Sequence, residues 1–308
     1  MANYKLLPGS VLIFFSLSVL LSCVTTKKVV MDRSPINSPN GVKIDENRFL
    51  DRSEIKQIDW REYLYWVGRI YGKESKEYLD ALPRSGVWTK ADSTLKQAGF
   101  NYEKNAVGSY NNYPVVGISR EQGIAFSEWR SDRVFEMQLI KAGIIKPNPN
   151  QAAEDHFPTE RYLSGELKVK LHPQSKIYYP VYRLPTADEY RKIIHEDLSK
   201  YQQWAENSKL GCPTEAPHFV CSNNTDLGEL PIKKQYFNPL CADKLTFKHI
   251  LGNVAEWTME PGKAAGGSWK NSRQEILDSW VQPETKRHNA WTGFRNICIY
   301  KLWEGRTE

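Results

Sequence analysis

The sequence predicts an irregular α+β fold in one large domain, on three observations. Helix-opening motifs occupy the first two thirds of the chain, and short apolar runs between loops fill the rest, the segregation of an α+β architecture. The 10 Trp, 16 Tyr and 11 Phe among 308 residues supply rings large enough to fill a core poor in regular layers. Ala-rich stretches and sustained heptads are missing, which argues against a helical bundle or coiled coil. A composition 40 % apolar and 25 % charged excludes a polytopic membrane protein, a collagen and a mainly disordered chain. The formal charge of +6 is scattered, with no Lys/Arg run longer than two, so no nucleic-acid partner is expected.

The elements follow in order. Lys5 precedes an apolar run from Val11 to Leu21, too short to span a bilayer and suited to a signal-peptide core. It ends in Leu20-Leu21-Ser22-Cys23, which has the form of a bacterial lipobox, so residues 1–22 are expected to be removed and Cys23 lipidated. Acyl chains add about 0.8 kcal/mol per buried CH₂, enough for stable membrane attachment once more than one is present. Residues 23–46 are polar, carry Pro35, Pro39 and Gly41, and read as a flexible tether. One domain is expected over residues 47–308.

Within it, Asp59 with Glu62 has capping-box spacing, Tyr63, Val67 and Ile70 recur at helical spacing, and Gly72 fits the stop. Residues 74–112 look loop-rich, and Tyr113–Ile118 reads as a short apolar strand. Ser119 with Gln122 opens a second helix to about Ala142. Pro147, Pro149, Pro158 and Pro173 mark an irregular insert over about 141–180. Thr186 with Glu189 opens a third helix, with Tyr190, Ile193 and Ile194 on one face. Short strands are expected after Cys212.

Several side chains invite a chemical reading. Gly266 and Gly267 permit a tight or left-handed backbone before Trp269. Arg295 reads as a guanidinium satisfied by carboxylate or backbone oxygens rather than a substrate clamp. Trp129, Trp257, Trp269, Trp280, Trp291 and Trp303 read mainly as core, with a sugar-stacking platform as the alternative. Besides Cys23, the cysteines are Cys212, Cys221, Cys241 and Cys298; an even number in an exported domain allows a Cys212–Cys221 disulfide closing a short loop. Cys298, between Ile297 and Ile299, could instead be a small buried hydrophobe. No phosphate-binding Gly-rich loop, GxSxG elbow or HExxH sequence occurs, and the six His have no ligand spacing.

Five segments in order resemble the formylglycine-generating-enzyme (sulfatase-modifying factor) family. They are Tyr113–Ser119 followed by Ala125-Phe126-Ser127-Glu128-Trp129, then Arg183-Leu184-Pro185-Thr186-Ala187-Asp188-Glu189-Tyr190 (like "RLPTEAEWE"), Gly252-Asn253-Val254-Ala255-Glu256-Trp257 (like "GNVWEW"), Gly266-Gly267-Ser268-Trp269, and Gly293-Phe294-Arg295. The resemblance covers about residues 50–300 and implies an irregular C-type-lectin-like α+β fold. It also implies a calcium position formed by the Gly252 and Val254 carbonyls and Glu256, hard oxygen ligands of the kind Ca²⁺ takes; pairing of Glu256 with an arginine such as Arg295 is the alternative. The family's enzymes resemble oxidases that hold copper through two cysteines after the "GGS" segment. Those positions are Asn271 and Ile276 here, neither of which forms a thiolate, so no enzyme and no copper are expected.

The lipobox, Asp59–Trp66 and the long insert are similar to lipid-anchored Bacteroidetes members of the family, such as the gliding-motility lipoproteins J and K. That resemblance implies a non-catalytic scaffold on the periplasmic face of the outer membrane. Its partners would be the membrane itself, through the lipid, and outer-membrane or periplasmic proteins of a gliding or type IX secretion apparatus. Glycan or peptidoglycan binding, and an oxidase-type enzyme, are the alternatives.

Overall fold

The computed structural model describes residues 37–91, 111–167, 176–208, 245–284 and 286–304. The chain begins with a hairpin. Asp45 accepts the backbone N–H groups of Asn47 (3.3 Å) and Arg48 (3.0 Å), folding the turn between β1 (Gly41–Lys43) and β2 (Arg48–Asp51). The Ser38 hydroxyl meets the Tyr182 hydroxyl at 2.8 Å, and the Asn37 carbonyl accepts from Tyr300. The tether expected over 23–46 therefore ends earlier, because residues 37–46 are already fastened to the domain by these bonds and by the β1–β2 ladder.

Helix α1 (Gln57–Ile70) starts two residues before the expected Asp59 cap. Asp59 instead sits in the first turn and accepts the Lys56 N–H at 3.0 Å, satisfying an orphan donor from inside the helix. Tyr63, Val67 and Ile70 are buried as their spacing predicts, and Gly72, at φ +93°, ends the helix. Short helices α2 (Lys76–Ala81) and α3 (Val87–Ala91) follow. The strand expected at Tyr113–Ile118 is a correction: the segment makes a single bridge, Pro114 opposite Lys56. Pro114 has no N–H to donate, and Gly117 turns the chain at φ +75°, so burial of Val115, Val116 and Ile118 proceeds without a ladder.

The capping boxes at Ser119 and Thr186 open α4 (Arg120–Lys141) and, after β3, α6 (Ala187–Glu206), both as expected. Helix α4 buries a stripe of small residues, Gly123, Ser127 and Ser131, four apart on one face, so its backbone approaches the sheet closely. The Ser131 hydroxyl takes the Tyr182 N–H at 2.8 Å, and the Ser127 hydroxyl takes the Asn296 amide at 2.7 Å. The insert contains α5 (Thr159–Ser164), whose Tyr162 packs with Phe157 against Phe135 and Leu139 of α4, a small core of its own. It closes before residue 177 rather than near 180, because β3 (Ile177–Arg183) pairs over its whole length with β8 (Ile297–Trp303).

The first sheet has the order β1-β2-β8-β3, all antiparallel, so the last strand lies at its centre. The second holds β4 (Ala255–Trp257), β5 (Lys263–Ala265), β6 (Val281–Pro283) and β7 (Thr292–Gly293) in the order β6-β5-β4-β7, with β4 and β7 parallel. Helix α7 (Arg273–Asp278) lies between β5 and β6 in the chain, opened by a capping box at Ser272. Aromatic rings join the layers: Trp60, fully buried, stacks on Phe126 at 5.4 Å and meets Phe294 edge-on at 6.0 Å. This mixed, irregular arrangement is the expected α+β class. Among the described residues no helix is long and apolar enough to cross a membrane. Residues 1–22, Cys23, Cys212, Cys221 and Cys241 lie outside the described residues, so the signal, lipidation and disulfide expectations do too.

Candidate functional site

Three of the sequence motifs meet around one buried arginine. The Gly252 N–H donates to the Gly266 carbonyl (2.8 Å), the Trp269 N–H to the Asn253 carbonyl (2.9 Å), and the Ala255 N–H to the Trp291 carbonyl (2.8 Å). The parallel pairing of β4 with β7 then brings Glu256 near Arg295, just beyond the end of β7. Arg295 is fully buried and grips Glu256 through Nε and Nη2, both at 2.6 Å. Its Nη1 and Nη2 also donate to the Asp51 and Lys248 carbonyls, at 3.1 and 2.9 Å. The Tyr190 hydroxyl donates to the remaining face of Glu256.

Nearby, Glu54 accepts the Asn253 side-chain amide at 2.8 Å. Burial pushes the carboxyls of Glu54 and Glu256 up to about 7 each, against the pull of the Arg295 charge. Asp51 is held by a second guanidinium, Arg130, at 2.6 and 3.0 Å. The structural reading of Arg295 therefore holds, and this charged hub clamps β2, β4 and the segment before β8 together.

The segment after Gly266-Gly267-Ser268 is equally closed. Asn271 accepts the Ser268 N–H and hydroxyl, each at 2.9 Å, and its own amide donates to Gln282 at 3.0 Å. Ile276, on α7, is fully buried beneath Gly267, where an added Cβ would stand 2.4 Å from Ile276 Cγ1.

A separate cleft of ≈ 840 Å³ opens between α1, α2 and α4. Its inner wall is aromatic. Trp129 lies 5.3 Å from Tyr63, Trp66 lies 5.5 Å from His156, and Tyr71 lies 5.9 Å from His156. The Arg133 guanidinium lies over the Trp66 ring at 4.8 Å. Carboxylates Glu77, Glu128 and Asp132 line the same end, whereas Arg84, Arg287 and His288 line the other. Burial, then the neighbouring Asp132 charge, raises the Glu128 carboxyl; burial raises Asp132, opposed by the Thr159 N–H that it accepts at 2.8 Å. Burial, then the Glu128 charge, pushes the Tyr63 hydroxyl up to about 12.

The profile of the sulfatase-modifying factor enzyme 1-like domain matches residues 25–299. The chain belongs to this family. No solved structure matches it significantly.

Against the chemistry associated with the sulfatase-modifying factor family, the donor sets can be tested directly. Asn271 and Ile276 offer one amide, already spent on Ser268 and Gln282, and one buried alkyl group, a set that does not fit copper. The carboxylate expected to bind calcium with Gly252 and Val254 is Glu256, and both its oxygens face Arg295 and Tyr190. A guanidinium thus stands where a cation would have to enter, and that set does not fit calcium as it is arranged.

Among the Trp residues expected mainly in the core, Trp257 is buried, with its Nε1 donating to the Ile118 carbonyl, while Trp269, Trp280, Trp291 and Trp303 are half-buried against neighbouring clusters. Cys298 is a free, buried thiol, the small-hydrophobe reading. The Glu54 and Asp51 parts of the hub were not read from the sequence. Neither was the cleft, although Glu128 and Asp132 stand one helical turn apart.

Proposed function

We propose that the chain is a non-catalytic interaction protein built on a sulfatase-modifying-factor-type domain. It is anchored through a lipid on Cys23 to the periplasmic face of the outer membrane and serves a gliding or type IX secretion assembly. One observation carries the non-catalytic part: the two positions from which the family's oxidases hold copper are filled by a hydrogen-bonded amide, Asn271, and a core side chain, Ile276. A soft thiolate pair is what Cu(I) needs, and a carboxamide and an alkyl chain give it no charge and no sulfur. The anchor rests on the lipobox form of Leu20-Leu21-Ser22-Cys23.

Three measurements test the reading. Titration of the purified protein with Cu(I) against a competing chelator should show no stoichiometric retention; one tightly held copper per chain refutes it. Fractionation of cells carrying Cys23→Ser should move the protein from membrane to soluble fractions, and unchanged membrane retention refutes the anchor. Affinity capture from detergent-solubilised envelopes with the wild-type chain as bait should return outer-membrane or periplasmic assembly components.

A further inference from the structure

The cleft between α1, α2 and α4 takes no part in the hub, and its charges point to a ligand. We propose that it receives the ammonium group of a lysine presented on an extended segment of a partner protein. This deepens the interaction reading above by naming what the partner must offer.

The argument begins with a charge of the wrong sign. The chain is basic overall, at +6, yet one end of the cleft gathers Glu77, Glu128 and Asp132. Among the described residues, no ion pair engages any of these three carboxylates. Asp80 and Glu121, further along the lining, are already paired with Lys76 and Arg287. The Arg133 charge acts on Asp132, but its hydrogen bonds go elsewhere: it donates to Glu136, to Gln151 and to the Phe157 carbonyl, and it lies on Trp66. Asp132 is thus offset in part by Arg133 and His156, while Glu77 and Glu128 are left with no ion-pair partner among the described residues. Burial holds Glu128 and Asp132 above the ordinary carboxyl range, and at Glu128 the Asp132 charge adds to it, a cost that a bound cation would offset.

The rings select a side chain with a long apolar stem and a charged tip. Tyr63, Trp66, Tyr71 and Trp129 line the wall that the stem would follow, and aromatic faces attract a cation by roughly 0.5–2 kcal/mol. Three separate carboxylates, two on α4 and one on α2, suit a compact ammonium with three donors better than a planar guanidinium, which prefers the fork of one carboxylate. The rings also tilt against one another, at 51° between Tyr63 and Trp129 and 58° between Trp66 and Trp129. They form the sides of a pocket rather than the open platform on which a sugar ring would stack.

The test is calorimetric titration of the full chain in detergent with the pentapeptide Ac-Ala-Ala-Lys-Ala-Ala-NH₂. Its norleucine and arginine counterparts and a neutral N-acetylglucosamine trimer serve as comparators. Saturable binding of the lysine peptide is expected, with the norleucine peptide weaker by about tenfold or more, the loss that one cation contact of about 1.4 kcal/mol represents. Glu128→Gln and Glu77→Gln, both at accessible positions, should each weaken it by several-fold without moving the thermal midpoint. Equal binding of the norleucine peptide, tighter binding of the arginine peptide, preference for the trimer, or unchanged affinity in Glu128→Gln would each overturn the proposal. A copper-retaining protein would refute the non-catalytic reading and leave this result untouched, so the two failures are distinguishable.

Discussion

Replacing Arg295 by Met keeps much of the stem and deletes the guanidinium, which makes it the sharpest probe of the hub. The loss leaves the Glu256 carboxylate buried beside the Tyr190 hydroxyl, and it removes a donor from each of the Asp51 and Lys248 carbonyls. Removing one partner of a buried ion pair costs about 3–5 kcal/mol, because the survivor's desolvation is no longer offset. The lost hydrogen bonds to these carbonyls add to that, each about 1 kcal/mol. A loss of at least about 4 kcal/mol is expected, a large share of the roughly 5–15 kcal/mol that holds a domain folded. At about 2–4 °C per kcal/mol, the thermal midpoint should fall by about 8–16 °C. Urea titration followed by tryptophan fluorescence and far-UV circular dichroism measures the loss. The double variant Arg295→Met/Glu256→Met should cost less than the two singles together, by about 2 kcal/mol or more, since neither charge is then stranded. A loss under about 1 kcal/mol for Arg295→Met, or strictly additive singles, would refute the hub as the clamp. So would a clear rise in the wild-type midpoint on adding millimolar calcium, because that requires an accessible Glu256.

Two further perturbations follow from the same geometry. Gly267→Ala places a Cβ 2.4 Å from Ile276 Cγ1 at φ +67°, and overpacking with backbone strain should cost about 2–4 kcal/mol. Adding Ile276→Ala removes the clashing Cγ1 and leaves the backbone strain, so the double variant should cost less than the two singles together, and a neutral Gly267→Ala would contradict the packing. The Glu54 carboxyl, pushed up to about 7, binds a proton more tightly folded than unfolded, so its contribution is full below the ordinary carboxyl range and is lost as pH rises through about 7. The stability of Glu54→Gln relative to wild type should therefore improve between about pH 5 and pH 8 in chemical denaturation. A difference that stays flat or reverses would refute the assigned direction.

What the sequence disclosed divides along physical lines. The boxes at Ser119 and Thr186 were legible because the capping bonds join residues three apart, and no distant contact can rewrite them. The same signature at Ser272 and Glu275 opens α7, a helix of six residues, too short to add a periodic apolar face to the capping signal. The β1–β2 hairpin was hidden because three- and four-residue strands are too short to show alternation, and their charged turn looks like a linker. Tyr113–Ile118 shows the opposite failure: its apolar run reports burial truthfully, while pairing depends on Pro114 and Gly117.

For the site, the motif order located Arg295 and Glu256, and the β4–β7 pairing brings them close enough for their side chains to form a buried salt bridge. Glu54 and Asp51 join that hub only through tertiary contacts, and no local pattern marks them. The cleft collects side chains from α1, α2, α4 and the insert, so only the Glu128–Asp132 spacing was available beforehand.

The measurement that bears most directly on the central claim is a turnover assay. Purified protein, supplied with copper and oxygen, is incubated with a Cys-x-Pro-x-Arg peptide, and the product is read by mass spectrometry for conversion of cysteine to formylglycine. With Asn271 and Ile276 at the thiolate positions, conversion should not exceed the protein-free blank. Catalytic conversion above that blank would contradict the account and return the chain to the family's enzymes.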